Sequence, residues 1–366
     1  MSKVLFLVNH EIAVYYFRLE IVERLLADGH RVLISSPPGE LIEKLKAMGC
    51  EHCPISVERH GTNPFRDFLL IREYKRLLKA TKPDVVFTFT IKPNIYGAIA
   101  CRSQNVPCVA NITGLGTAIE YPGLVQKIGV LLYKYAFTKV KRVFFQNEEN
   151  RRFFADRNIA TQAHAMLPGS GVNLQRFTPL EYPSDETIEF VFIARIMKEK
   201  GIDQYLAAAE RIRAKYPKTR FHICGFCEQA YEEKLKDLTD QGVVVYHGMV
   251  RDVRPILART HCTIHPSYYP EGLSNVLLES AASARPIITT DRSGCREVIE
   301  DGVNGYVVKQ KDSDDLTEKI ERFMSLTWEE RRDMGLAGRA KVEREFDRQI
   351  VVEKYIEELA SVEIWR

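Results

Sequence analysis

Apolar positions along this chain come in short runs separated by stretches with a longer period. "KVLFLVN" (3–9), "RVLISS" (31–36), "VVFTF" (85–89), "CVANIT" (108–113) and "RVFFQN" (142–147) are β-branched and aromatic runs of strand length. Between them, "FRLEIVERLLADGH" (17–30) repeats apolar residues at helical spacing and stops at Gly29, where a left-handed C-cap is expected. "NPFRDFLLIREYKRLLKATKPD" (63–84) predicts a second helix, ended by Pro83. Strands alternating with amphipathic helices predict a parallel sheet covered by helices.

The alternation breaks once. "AHAMLPGSGVNLQRFTPLEYPSDE" (163–186) is rich in Pro, Gly and Ser and reads as a linker. The strand pattern then resumes with "IEFVFIAR", "RFHICGF", "VVVYHG", "CTIHPS", "PIITTD" and "NGYVV", and helices lie between these runs. Two sequential Rossmann-like domains follow, consistent with 366 residues, a length beyond the usual size of one core.

Composition narrows the class. With 45% hydrophobic and 28% charged residues the chain is neither fibrous nor disordered. The opening apolar run ends at Asn9 and His10, too early for a signal peptide, and no stretch reaches the roughly 18 apolar residues of a spanning helix. A cytoplasmic protein is expected. Two Cys-x-x-Cys pairs, Cys50/Cys53 and Cys224/Cys227, lie in different predicted domains beside strands and read as ordinary reduced thiols rather than a zinc site. The net charge of +3 is uneven: residues 1–180 hold 24 Lys and Arg against 15 Asp and Glu, a net of +9, and residues 181–366 hold 28 against 34, a net of −6. The first half is suited to a negative partner.

Chemistry concentrates in the second half. In "YYPEGLSNVLLESAASARPIITTD" (268–291), Glu271 and Glu279 flank Gly272, Leu273, Ser274 and Asn275 at the expected start of a helix. Free amides and the positive end of the helix dipole make an anion site there, and Gly272 permits close approach of backbone. Two carboxylates across an anion site suit a ligand with a phosphate centre and hydroxyls at both ends, as in a nucleoside diphosphate sugar. The bland reading is a loop charge at Glu271 and a solvated Glu279; the apolar surroundings of Glu279 count against it. "FIARIMKEKGID" adds Arg195 just past a strand and Lys200 just before Gly201, cations placed for a diphosphate at the carboxyl end of a sheet. "GLGTAI" at Gly114 lacks the third Gly of a dinucleotide fingerprint, "DSDD" (312–315) reads as a helix cap rather than a metal motif, and His265 reads as polar lining.

"PGSGVNLQRF", "ARIMKEKGID", "HPSYYPEGLSNVLLESAASARPIITTD" and "GCREVIEDGVNGYVV", in this order, resemble glycosyltransferase family 4 over nearly the whole chain. "TFTIKPNIYGAIA" and "NITGLGTAIE" resemble its capsular polysaccharide and lipid-linked oligosaccharide branch, including polyprenyl-diphosphate-sugar N-acetylgalactosaminyltransferases. The resemblance implies the α/β GT-B fold, two Rossmann-like domains with parallel sheets facing across a cleft, and retention of anomeric configuration. It implies an acceptor domain at residues 1–165, a nucleotide-sugar domain at 166–345 and a final helix, 346–366, crossing back to the first. It further implies Arg195 and Lys200 on the donor diphosphate, Glu271 on the sugar hydroxyls, Glu279 on the ribose, and Gly171 and the Gly272, Leu273 and Ser274 amides lining the donor. Arg195, Lys200 and Glu271 would be the catalytic set. Where many members carry a His facing the donor sugar, this chain has "NITGLG" with Thr113 and Gly114. Together with Lys92 and Arg18 these are the candidate acceptor residues.

The expectation is therefore a retaining transferase needing no metal or other cofactor. It would move a sugar, GalNAc or another hexose, from a UDP-sugar to a polyprenyl-diphosphate-linked saccharide at the inner membrane face. A nucleotide-sugar 2-epimerase and a non-enzymatic sugar-nucleotide binding protein are the alternatives; nucleic acid is not an expected partner. "YPGLVQKIGVLLYKYAFTKVKR" (121–142) holds five cations and no acid, and reads either as an interfacial segment at an anionic membrane or as a core helix with snorkelling lysines.

Overall fold

The computed structural model describes residues 1–57, 63–120 and 122–363. It divides into two compact units, and each is a parallel sheet clothed by helices. The first comprises residues 1–171, 270–273 and 348–366; the second comprises 172–269 and 274–347.

The first sheet has seven strands: β1 (Lys3–Leu7), β2 (Arg31–Ser36), β3 (Glu51–Pro54), β4 (Val85–Phe89), β5 (Cys108–Ile112), β6 (Arg142–Phe145) and β7 (His164–Met166). Their order is β3-β2-β1-β4-β5-β6-β7. All pairs are parallel, with Leu5 of β1 opposite Leu33 on one side and Val86 on the other. Alternate side chains enter different cores: Leu5 and Leu7 pack with Tyr74, Ala100 and Tyr133, whereas Val4 and Phe6 pack with Val22, Val351 and Tyr355. The helix Arg348–Glu363 thus completes the first unit, and the ion pair of Arg348 with Glu20 at 2.9 Å adds to its docking. β7 falls inside the stretch expected to be linker; its sequence, HAM, has no β-branched run and is followed at once by the Pro and Gly that suggest a linker. The unit accordingly runs to Gly171, past the expected boundary at 165.

The second sheet has β8 (Ile188–Ile193), β9 (Thr219–Cys224), β10 (Val245–Tyr246), β11 (Cys262–His265), β12 (Ile287–Thr290) and β13 (Gly305–Val308), ordered β10-β9-β8-β11-β12-β13. Both sheets therefore share the doubly wound arrangement, in which strand order reverses beside the first strand. Ligands bind such sheets beyond the carboxyl ends of the strands at that reversal. The reversal falls between β1 and β4 in the first unit and between β8 and β11 in the second.

Candidate functional site

Two loops of the second unit meet at this reversal. β8 runs into Arg195, then into a short 3-10 turn, Lys198–Lys200, and the helix Ile202–Lys215. β11 runs through Pro266 to Tyr268 and Tyr269. The Tyr268 amide donates to the Glu199 carbonyl at 2.9 Å. Gly201 has φ +79°, and a Cβ there would lie 2.1 Å from the Pro266 carbonyl oxygen, so only glycine allows this approach.

The result is a concentrated positive site. The Lys200 ammonium lies 4.8 Å and the Arg195 guanidinium 5.3 Å from the Tyr269 ring centroid, so one aromatic ring is shared by both cations. Arg195 is also ion-paired with Glu228. Burial opposes its charge, but the Tyr269 and Glu228 contacts outweigh this and hold its pKa above the ordinary value. Lys200 is 8% exposed, and burial brings its pKa down to about 7, with Arg195 pushing the same way and Cys295 and Glu228 opposing. His265 is pushed down to about 3 by burial and by Lys200, so it is neutral and serves as a hydrogen-bonding partner. Its Nε2 lies 3.3 Å from the Ser274 hydroxyl. Burial raises the Cys295 thiol to about 11.

The helix Asn275–Ala282 has Ser274 as its N-cap, and Glu279 stands half-buried in its second turn. Of the three amides expected to face a donor, that of Ser274 donates to the Gly294 carbonyl at 2.8 Å and that of Gly272 to the Thr113 carbonyl at 3.1 Å. That expectation is corrected: neither of these two amides is open to a donor in this structure.

Pro270–Leu273 belongs to the first unit by its contacts. Asn147 Nδ2 donates to the carbonyls of Glu271 at 3.0 Å and Gly272 at 2.5 Å, while Asn147 Oδ1 caps the helix Glu148–Ala155 by accepting from the Asn150 amide. Gly114, with φ +135°, leaves room for the same loop: a Cβ there would meet Gly272 N and Pro270 O at 3.1 Å. Thr113 and Gly114 thus touch the segment carrying Glu271 through backbone. Gly171, at φ +64°, packs against the backbone of Arg348, and this packing accounts for the glycine.

At the reversal of the first sheet, β4 leads through Thr90, at φ +70°, to Lys92 and a π-helical turn, Pro93–Gly97. The Lys92 ammonium pairs with Asp67 at 2.9 Å, and Tyr96 donates to the other Asp67 oxygen at 2.7 Å. Arg18 is a correction. It is 2% exposed, stacked 5.2 Å from the Phe89 ring centroid and donating to the Phe17 carbonyl, so it has no open face to offer an acceptor. The Phe89 ring that covers it lies on β4, 71 residues further along the chain.

Tyr269, Glu228 and Asn147 were missed by sequence reasoning. Tyr269 lies within the quoted motif, and an aromatic next to the acidic loop was the available signal; Asn147 had the signal of an N-cap before "EEN". Asp312 does cap the helix Ser313–Met324, accepting from the Asp314 and Asp315 amides. All eight cysteines are free thiols.

Comparison with known proteins identifies the family. Residues 180–341 match the family model "Glycosyl transferases group 1", and residues 3–147 match "Glycosyl transferase 4-like". The chain belongs to these glycosyltransferases. Among its relatives, the N,N'-diacetylbacillosaminyl-diphospho-undecaprenol alpha-1,3-N-acetylgalactosaminyltransferase of Campylobacter jejuni is 25% identical, with 96% of each chain covered. An Escherichia coli UDP-Gal:alpha-D-GlcNAc-diphosphoundecaprenol alpha-1,3-galactosyltransferase is 25% identical over 70% of this chain and 72% of its own. Among solved structures, a glycosyltransferase from Rickettsia africae superposes with a TM-score of 0.82 at 19% identity, covering 99% of this chain and 98% of its own. Anabaena Alr3699/HepE, solved with UDP and glucose, gives 0.81 at 17% identity, covering 99% and 100%. These likenesses establish the GT-B fold of this glycosyltransferase.

Proposed function

We propose that this glycosyltransferase moves a sugar, GalNAc or another hexose, from a UDP-sugar to a polyprenyl-diphosphate-linked saccharide with retention of configuration. The observation that carries the reading is the pair Arg195 and Lys200, gathered on one tyrosine ring at the strand reversal of the second sheet. Two cations there match the two phosphates of a nucleoside diphosphate, and they become most valuable when the bond to the anomeric carbon breaks and the leaving phosphate gains charge. The charge compensation that a divalent metal could supply falls to these side chains. Glu279 accepts the ribose hydroxyls and Glu271 the sugar hydroxyls. The acceptor hydroxyl forms its bond to the anomeric carbon on the face that UDP leaves, and its proton passes to the departing phosphate, so no separate protein base is required.

The acceptor half of the reading is supported by the Campylobacter jejuni and Escherichia coli relatives, both named for acting on diphospho-undecaprenol-linked sugars. It is supported too by the net charge of +9 in residues 1–180. Lys92, at the strand reversal of the first sheet, would exchange Asp67 for the acceptor diphosphate. No helix among the described residues is long and apolar enough to cross a membrane. An anionic leaflet is the complementary partner.

The test incubates the protein with a panel of UDP-sugars and a bacterial lipid extract and identifies any lengthened lipid by mass spectrometry. One UDP-sugar should yield a polyprenyl-diphosphate saccharide longer by one residue, with the α configuration of the donor kept. Release of UDP and an epimerised free sugar without lipid extension would overturn the reading in favour of an epimerase.

A further inference from the structure

Two helices of the first unit present apolar side chains to solvent. In Leu124–Ala136, Gly129, Tyr133 and Ala136 face inward, while Leu124, Ile128, Leu131 and Tyr135 are exposed, Leu124 by 74% and Leu131 by 65%. At about 100° per residue these four form one stripe, with Lys127 and Lys134, both exposed, along one margin. In Pro64–Thr81, Leu70, Tyr74 and Leu78 are buried, but the first two turns expose Phe65 by 69% and Phe68 by 55%. Single exposed apolar residues are ordinary; a full helical stripe plus two phenylalanines is not.

The two faces belong together. Leu70, Tyr74 and Leu78 share one apolar core with Tyr133 and Ala136, so both helices cover the same side of the first sheet. Pro64–Thr81 follows β3 and Leu124–Ala136 follows β5, and in a parallel sheet a helix that follows a strand begins near the strands' carboxyl ends. Lys92, which follows β4, stands at that same end. Charge selects the occupant. The exposed cations here are Lys127, Lys134 and Lys139, and residues 122–142 contain no acid, so a second copy of the chain would bring like charge against like, whereas anionic headgroups complement it.

We propose that these two helix faces form one docking surface for an anionic lipid leaflet. Phe65, Phe68, Leu124 and Ile128 enter the boundary between headgroups and acyl chains, and Lys127 and Lys134 meet the headgroups. The cationic segment is legible from sequence; the phenylalanines at the start of the other helix join it only in the fold. This surface deepens the lipid-linked acceptor reading and rests on it for its purpose: it would hold the carboxyl end of the sheet where a lipid-anchored diphosphate arrives.

Sedimentation with vesicles of phosphatidylcholine, with and without phosphatidylglycerol, tests the surface without any sugar substrate. The wild type should bind the phosphatidylglycerol vesicles. Both the pair Phe65→Ser/Phe68→Ser and the triple Leu124→Ser/Ile128→Ser/Leu131→Ser should lower that partition by about tenfold or more. Unchanged far-ultraviolet circular dichroism and an unchanged urea midpoint would show that the variants are folded. A wild type that stays in the supernatant, or variants that sediment as it does, overturns the proposal. So does a wild-type dimer that the substitutions convert to monomer, which would make the face an interface between copies. Vesicle binding that persists where no lipid is lengthened would count against the proposed activity and leave the surface standing.

Discussion

Lys200 is the residue at which function and stability pull apart. Its folded pKa of about 7 lies well below the ordinary lysine value of about 10.4, so between those pH values the unfolded chain holds a proton that the folded chain has released. Stability therefore rises with pH through that window, and below pH 7 the cost of the buried charge is present in full. Lys200→Met removes the cost. The variant should be more stable than the wild type at pH 6, by on the order of a few kcal/mol in unfolding free energy from urea titration, with the gain shrinking by pH 9. Its turnover should fall by about 100-fold or more, because the leaving phosphate loses a charge partner. A variant that is active, or less stable at pH 6, would remove Lys200 from this role. Arg195 and Lys200 are placed by the sequence just past a strand and just before Gly201 at a helix start, though two basic residues in a loop are by themselves an ordinary signal. Tyr269 is not legible there, since its service to both cations depends on two loops that leave different strands. Arg18 misleads for the converse reason: the ring that buries it lies on another element.

Among the elements, the turn Lys198–Lys200 shows how a glycine can be read for contact rather than for conformation alone. Gly29 and Gly201 have the same φ of +79°, but a Cβ at Gly29 meets nothing within 4 Å, whereas at Gly201 it meets the Pro266 carbonyl oxygen at 2.1 Å. Gly29→Ala should cost only the left-handed conformation, about 1–2 kcal/mol. Gly201→Ala has the same conformational cost and must also part the two loops of the site, so it should destabilise by about 3 kcal/mol or more and weaken UDP binding as well. Denaturant titration of both variants isolates the difference; equal losses would mean that the loops do not depend on this contact. The left-handed cap at Gly29 is legible from the end of a helical period. The close approach at Gly201 is not, because Pro266 is 65 residues away in the chain.

For the whole molecule, repeated alternation of strand and helix makes both sheets legible, and the break in that alternation marks the passage between them. Strands β3, EHCP, and β7, HAM, at the two edges of the first sheet, carry no apolar run to mark them, and membership of a unit is not a sequential property at all. The chain passes between units after Gly171, Tyr269, Leu273 and Asp347. Val351, Val352, Tyr355, Leu359 and Val362 fill a core whose other buried residues run from 4 to 167. A fragment ending at Gly171 should accordingly lack a cooperative urea transition by circular dichroism, and fusing residues 346–366 ahead of Met1 by a flexible linker should restore one; a fragment that unfolds cooperatively unaided would show this helix to be dispensable. The same connectivity sets a schedule for biosynthesis. Residues 1–171 leave the ribosome first, but the helix that closes their core is translated some 180 residues later, a delay of roughly 10–35 s at about 5–20 residues per second. Throughout that interval the nascent first unit carries an open apolar groove beside β1 and β4, the kind of surface to which a holding chaperone binds.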